Sequence, residues 1–134
     1  MNALLLVILV AAGGAVMLHI FIFALETLFW QSSLARKTFG LSEEQAAATK
    51  EMAANQGVYN LLLALEALTG IVAVSAGQRL AGLVLIAAGC CSMLVAASFL
   101  FATAPDKRTA ALKQGILPAL TIIVLIVLII HTII

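Results

Sequence analysis

The chain is short of charge, cysteine, proline and aromatic residues. Asp, Glu, Lys and Arg together make up 10% of its 134 residues. A soluble domain carries about a quarter charged residues, so this chain has too few to solvate its own surface. That scarcity excludes a soluble enzyme, a nucleic-acid binder and a disordered tail. The only cysteines, Cys90 and Cys91, are adjacent and lie in an apolar run. Neighbouring cysteines bridge only with strain, so there is no disulfide framework. Two prolines leave long stretches free to be helical. No histidine, cysteine and carboxylate group has metal-ligand spacing, and no metal site is expected. No P-loop, nucleophile elbow or dinucleotide glycine pattern is present.

What the chain has is apolar surface. Hydrophobic residues make up 64% of it, and mean hydropathy is +1.21. A helix needs about 20 apolar residues to cross a bilayer core of about 30 Å. Four stretches meet that length: residues 4–30, 58–76, 80–104 and 116–134. They show no two-residue alternation, and backbone donors in hydrocarbon must pair within their own segment, so the spans are helices. The expected fold is all-α, a single domain over residues 1–134 built as an integral membrane four-helix bundle. The first apolar stretch lacks the basic n-region of a signal peptide and is expected to remain as a span.

The connections differ. Gly77-Gln78-Arg79 is short enough to make spans two and three an antiparallel hairpin. Pro105 ends the third helix, and Gly115 with Pro118 mark the start of the fourth. In the long first connection, Ser42-Glu43-Glu44-Gln45 has the pattern of a capping box. The second helix is therefore expected to start near Glu43 and to project beyond the membrane. Arg36, Lys37, Lys50, Lys107, Arg108 and Lys113 fall on one side of the spans, and Arg79 alone on the other. The positive-inside rule then predicts both termini outside, with the extended second helix in the cytoplasm. Two stripes of small residues, Gly70, Ala73 and Gly77 on the second helix and Ala88, Ser92 and Ala96 on the third, predict close helix contacts.

Polar groups at membrane depth are costly, and they mark where function is sought. His19 and Glu26 lie seven apart on the first helix, with Trp30 beyond them at the interface. On the second helix Asn55, Tyr59 and Glu66 share a stripe, with Gln56 and Asn60 on the adjoining face. His19 and Glu66 are expected at similar depth as a pair. Glu26 is expected to meet Tyr59 and Asn60 in a shallower polar pocket open to the cytoplasm. The candidate ligand-binding residues are therefore His19, Glu26, Asn55, Gln56, Tyr59, Asn60 and Glu66.

The order His19-Ile20-x-Ile22-Phe23-x-Leu25-Glu26, Trp30, Arg36-Lys37-x-Phe39-Gly40-Leu41-Ser42, Thr49-Lys50, Ala54-Asn55-Gln56-Gly57-x-Tyr59-Asn60 and Gln114-Gly115-x-x-Pro118 resembles a family of small bacterial four-span membrane proteins of unknown function, which implies a place in a bacterial cytoplasmic membrane. A second similarity runs from about Ser33 to Tyr59. Arg36-Lys37-x-Phe39, then Asn55 and Tyr59 on a long second helix, is similar to the superfamily of membrane-associated proteins in eicosanoid and glutathione metabolism. That resemblance implies a trimeric enzyme using glutathione as cofactor, held by Arg36, Lys37, Asn55 and Tyr59. Where its pattern has an arginine and a glutamate around the asparagine, this sequence has Glu51 and Val58.

Three functions fit these residues. The first is an intramembrane site that binds or modifies a small amphipathic or lipid-derived molecule. The second is a proton-coupled transporter using Glu26 and Glu66. The third is an assembly subunit without chemistry. The bilayer is the expected partner in each, with a homo-oligomer implied by the second resemblance.

Overall fold

A computed structural model describes residues 3–133. Met1, Asn2 and Ile134 lie outside them, so the expected end of the fourth span at Ile134 is not described. The elements are α1 (Ala3–Phe23), a π-helical turn (Ala24–Leu28), α2 (Ser33–Phe39), α3 (Glu43–Ala48), α4 (Lys50–Ser75), α5 (Arg79–Thr103), a 3-10 turn (Pro105–Lys107) and α6 (Arg108–Ile133). Among the described residues there is no strand. Four segments are long and apolar enough to cross a membrane: Ala3–Leu28, Lys50–Ser75, Arg79–Thr103 and Pro105–Ile133. The all-α bundle expected from composition is the fold observed, and its four long apolar helices make the chain a multi-pass membrane protein.

The long helices pack in a ring. α1 lies against α4 and α6, and α5 also lies against α4 and α6, leaving α1 and α5 on a diagonal. The interior holds Ile8, Ala12, Ile86, Cys90, Leu125 and Leu128 toward one end. Nearer the middle it holds Ala15, Val16, Ala64, Ala67 and Met93. Large side chains such as Val10, Met17, Leu62, Val72, Val84, Phe99 and Ile123 point outward. In water that surface would be untenable, whereas in a bilayer it is the solvated face.

Small residues set the closest contact. At Gly70 an added Cβ would stand 2.7 Å from the Gly82 carbonyl oxygen and 2.8 Å from the Ile86 nitrogen. α4 and α5 thus touch backbone to backbone, as small residues permit where lipid gives no hydrophobic drive. Ala73 is half-buried and Gly77 sits in the turn at φ 85°. The stripe Ala88, Ser92 and Ala96 does not pack within the bundle, because all three are exposed. α5 turns Gly82, Ile86, Gly89, Cys90, Met93 and Ala97 inward instead. A stripe of small residues does not itself say which side of a helix a neighbour will take.

Two helix starts differ from expectation. The capping box forms as read, with the Gln45 backbone N–H donating to Ser42 Oγ at 3.1 Å and the Ser42 N–H to Gln45 Oε1 at 3.0 Å. The helix it opens stops at Ala48, and α4 begins afresh at Lys50. At the break, Thr49 Oγ1 donates to the Gln45 carbonyl at 2.7 Å and accepts from Trp30 Nε1 at 3.2 Å. A contact from α1's end thus fixes a break that helix propensity alone does not show. α6 begins at Arg108 rather than near Gly115, and Pro118 lies buried inside it. A proline within a membrane helix is tolerated when its neighbours compensate, which the first-turn reading did not anticipate.

Candidate functional site

Two polar residues of the first span, Glu26 and Thr27, meet the second where α1 ends. After Phe23 the helix widens into a π turn, and the Phe29 N–H donates to the Ala24 carbonyl five residues back at 3.0 Å. Such turns recur at functional sites, because the extra residue re-aims side chains that regular periodicity would place elsewhere. Here it brings Glu26 and Thr27 against α4. Asn60 Nδ2 donates to Glu26 Oε2 at 2.8 Å, and Thr27 Oγ1 donates to the Ala54 carbonyl at 3.2 Å.

Gly57 makes the approach possible. A Cβ there would overlap Thr27 Oγ1, stand 3.0 Å from Glu26 Cβ and 3.2 Å from the Phe23 carbonyl oxygen. Thr27, Gly57 and the Ala54 carbonyl are not among the candidate ligand-binding residues read from sequence. The available signal was Gly57 itself. A glycine inside a helix costs about 1 kcal/mol relative to alanine, so its presence there marks a close approach.

Valence arithmetic gives the site its character. The Asn60 amide also donates to the Gln56 carbonyl at 3.3 Å. Both of its hydrogens are then used on oxygen acceptors, which fixes the amide's orientation. Its own Oδ1 faces no donor, and Glu26 Oε1 has no hydrogen-bond partner among the described residues. With Glu26 ionised, the half-buried pair presents two unfilled acceptors and no free donor.

The other candidates are placed apart. The His19 ring is buried, and its Nδ1–H donates to the Ala15 carbonyl one turn earlier at 2.9 Å. Glu66 is half-buried and forms no hydrogen bond or ion pair among the described residues. The expected pairing of His19 with Glu66 is not formed. Ala64 and Ala67 pack with Ala15 and Val16, which sets Glu66 about one helical turn, roughly 5 Å, beyond His19. Tyr59 is 55% exposed on the outer face of α4. Asn55 and Gln56 are exposed too, Gln56 serving through its backbone carbonyl. Glu26 therefore meets Asn60, as expected, and shares no hydrogen bond with Tyr59.

The connection over this end is tied down. The Ala35 N–H donates to Ser32 Oγ at 3.2 Å at the start of α2, and Gly40, at φ 67°, closes it. The Trp30 and Phe39 rings meet at 5.1 Å between centroids. Arg36 Nη1 pairs with Glu43 Oε1 at 2.5 Å, and its buried Nε has no partner. Lys37 is exposed. Arg36, Lys37, Asn55 and Tyr59 share no hydrogen bond or ion pair with one another.

No curated protein and no solved structure matches the chain. A family model does match, over residues 4–126, and its description is "protein of unknown function (DUF1304)". That match covers nearly the whole chain, and the protein belongs to the DUF1304 family of unknown function.

Proposed function

We propose that the protein binds a small amphipathic or lipid-derived molecule at Glu26 and Asn60, through a head group that donates hydrogen bonds. The observation that carries this reading is the pair of unfilled acceptors, Glu26 Oε1 and Asn60 Oδ1, held at the end of an apolar bundle. A carboxylate at membrane depth inserts at a cost of about 2.5–3.5 kcal/mol. The bond to Asn60 engages one of its two oxygens and leaves the other without a partner, and an amine or hydroxyl head would fill it. The apolar tail would lie along the bundle in lipid. The six basic residues gathered at this end support its facing the cytoplasm. Gln56, Asn55 and Tyr59 would line the outer approach, with His19 and Glu66 deeper.

Thermal unfolding of the detergent-purified protein with dodecylamine, dodecanol and decanoic acid tests this. The amine and the alcohol raise the midpoint, and the carboxylic acid, which brings a negative charge against Glu26, does not. Glu26→Gln keeps an acceptor oxygen and removes the charge, so it weakens the amine response more than the alcohol response. Equal responses to all three probes, or an unchanged amine response in Glu26→Gln, overturn the reading.

A further inference from the structure

The side of the bundle away from Glu26 carries a second feature at the same end. Between α5 and α6 lies a groove of about 310 Å³, lined by residues that include Leu94, Ala97, Phe101, Leu112, Gly115 and Ile116. Gly115 lets the helices close, since an added Cβ there would stand 3.0 Å from Ala97 Cβ. Any outward apolar face in a membrane is wetted by acyl chains. This one differs in what stands at its mouth.

Arg108 lies four residues before Leu112 and eight before Ile116, on the same face of α6. Its guanidinium carbon is 5.0 Å from the centroid of the Phe101 ring, and its Nε–H donates to the Phe101 carbonyl at 3.1 Å. The charged group is thus pinned over the last groove residue of α5. It forms no ion pair among the described residues, so its terminal nitrogens stay free. Lys107 is half-buried beside it, Lys113 is exposed within two turns, and Asp106 precedes them in the same turn as Lys107. A fixed cation above an apolar channel matches an anionic head above a hydrocarbon tail. Basic pockets at the ends of membrane helices recognise anionic lipids on this ground. An arginine also offers a phosphate paired donors.

We propose that this groove holds an acyl chain of an anionic phospholipid whose phosphate sits on Arg108, with Lys107 beside it. The site is independent of Glu26. Its occupant is chosen by the charge at the groove's mouth, which a zwitterionic lipid, a bare phosphate or a second copy of the chain would match less well.

Native mass spectrometry of the full chain tests this after reconstitution in equal parts of phosphatidylglycerol and phosphatidylcholine with identical acyl chains. The wild type retains phosphatidylglycerol in preference, by about tenfold, the scale expected for one or two surface cations. Arg108→Gln abolishes most of that preference, and Arg108→Lys restores part of it. Ser98 lines the groove from an exposed position, so Ser98→Phe fills it without touching the core and reduces lipid retention. Glu26→Gln leaves retention unchanged, which separates this site from the one proposed above. Equal retention of both lipids overturns the proposal, as does a preference that survives Arg108→Gln in a protein whose unfolding midpoint is unchanged. Displacement of the lipid by millimolar inorganic phosphate, or retention of a second chain that Ser98→Phe removes, assigns the groove another occupant and overturns it too.

Discussion

Gly57 of α4 presses against Thr27 of the π turn so closely that a Cβ at position 57 would overlap the threonine hydroxyl. This contact sets the distance at which Asn60 reaches Glu26, because both bonds between the two helices here depend on the same approach. Gly57→Ala is expected to lower stability by about 1–3 kcal/mol, the usual range for overpacking a tight site. Thr27→Ala removes the nearest obstacle and one modest interhelical bond, so the double variant recovers part of that loss. Unfolding midpoints in dodecyl maltoside check both, with Gly13→Ala as control, since nothing lies within 4 Å of a Cβ there.

The α4–α5 crossing is less forgiving. At Gly70 and Gly82 the obstructing atoms are backbone as well as side chain: the Gly82 carbonyl 2.7 Å from the first Cβ, and the Gly70 carbonyl 2.6 Å from the second. Backbone cannot rotate aside as a side chain can. Gly70→Ala or Gly82→Ala is expected to cost at least as much as Gly57→Ala, at or above the top of the roughly 1–3 kcal/mol range. Thr27→Ala does not rescue either. The yield of monodisperse protein and the midpoint of unfolding are the measurements.

These two contacts show what the sequence carries and what it does not. The four spans follow from apolar runs, and the hairpin follows from Gly77 and its short turn, because local chemistry decides both. The Glu26–Asn60 contact was legible as two polar groups on antiparallel helices. The π turn was not, since Ala24, Leu25 and Leu28 suit an ordinary α-helix equally well. Regular 100° steps put His19, Glu26 and Trp30 on one stripe, and the wide turn breaks that count. The His19–Glu66 register failed for a related reason. Glycine and alanine contacts fix the slide of α1 along α4, and an expectation of similar depth read from sequence does not resolve one turn. Thr49 breaks its helix through Trp30, a residue 19 positions away.

That tie makes the connection between α1 and α4 testable. Trp30→Phe keeps the ring against Phe39 and removes the bond to Thr49 Oγ1. Ser42→Ala removes the capping box, at a typical cost of about 1 kcal/mol to the local helix. Both variants are expected to speed protease cleavage within residues 31–49 several-fold while leaving global unfolding almost unchanged. Limited proteolysis in micelles, read by mass spectrometry, gives the site and the rate. A large drop in the global midpoint would mean that the connection is part of the bundle's folding unit.

The placement of the basic residues predicts an orientation that can be tested. In a Cys91→Ser background, the remaining native thiol, Cys90, is buried. A cysteine at Thr132 is expected to react with an impermeant maleimide in intact cells, and one at Lys37 only after lysis. The reverse pattern would put the Glu26 site on the outer face.

The Glu26–Asn60 bond also separates holding the fold from holding a ligand. Interhelical hydrogen bonds in membranes average about 0.6 kcal/mol and reach about 1.7. A double-mutant cycle of Glu26→Gln and Asn60→Ala is therefore expected to give a small coupling in unfolding free energy, within that range. Ligand binding should behave differently. Asn60→Ala deletes Oδ1 and frees Glu26 Oε2, so it changes the number and direction of acceptors offered to the head group. Its effect on the dodecylamine response should exceed its effect on stability, with binding weakened by several-fold or more in a protein that still unfolds cooperatively. If the two effects track each other across the cycle, the pair is only a brace between α1 and α4. If binding falls while the midpoint holds, the unfilled oxygens are what the carboxylate is there to present.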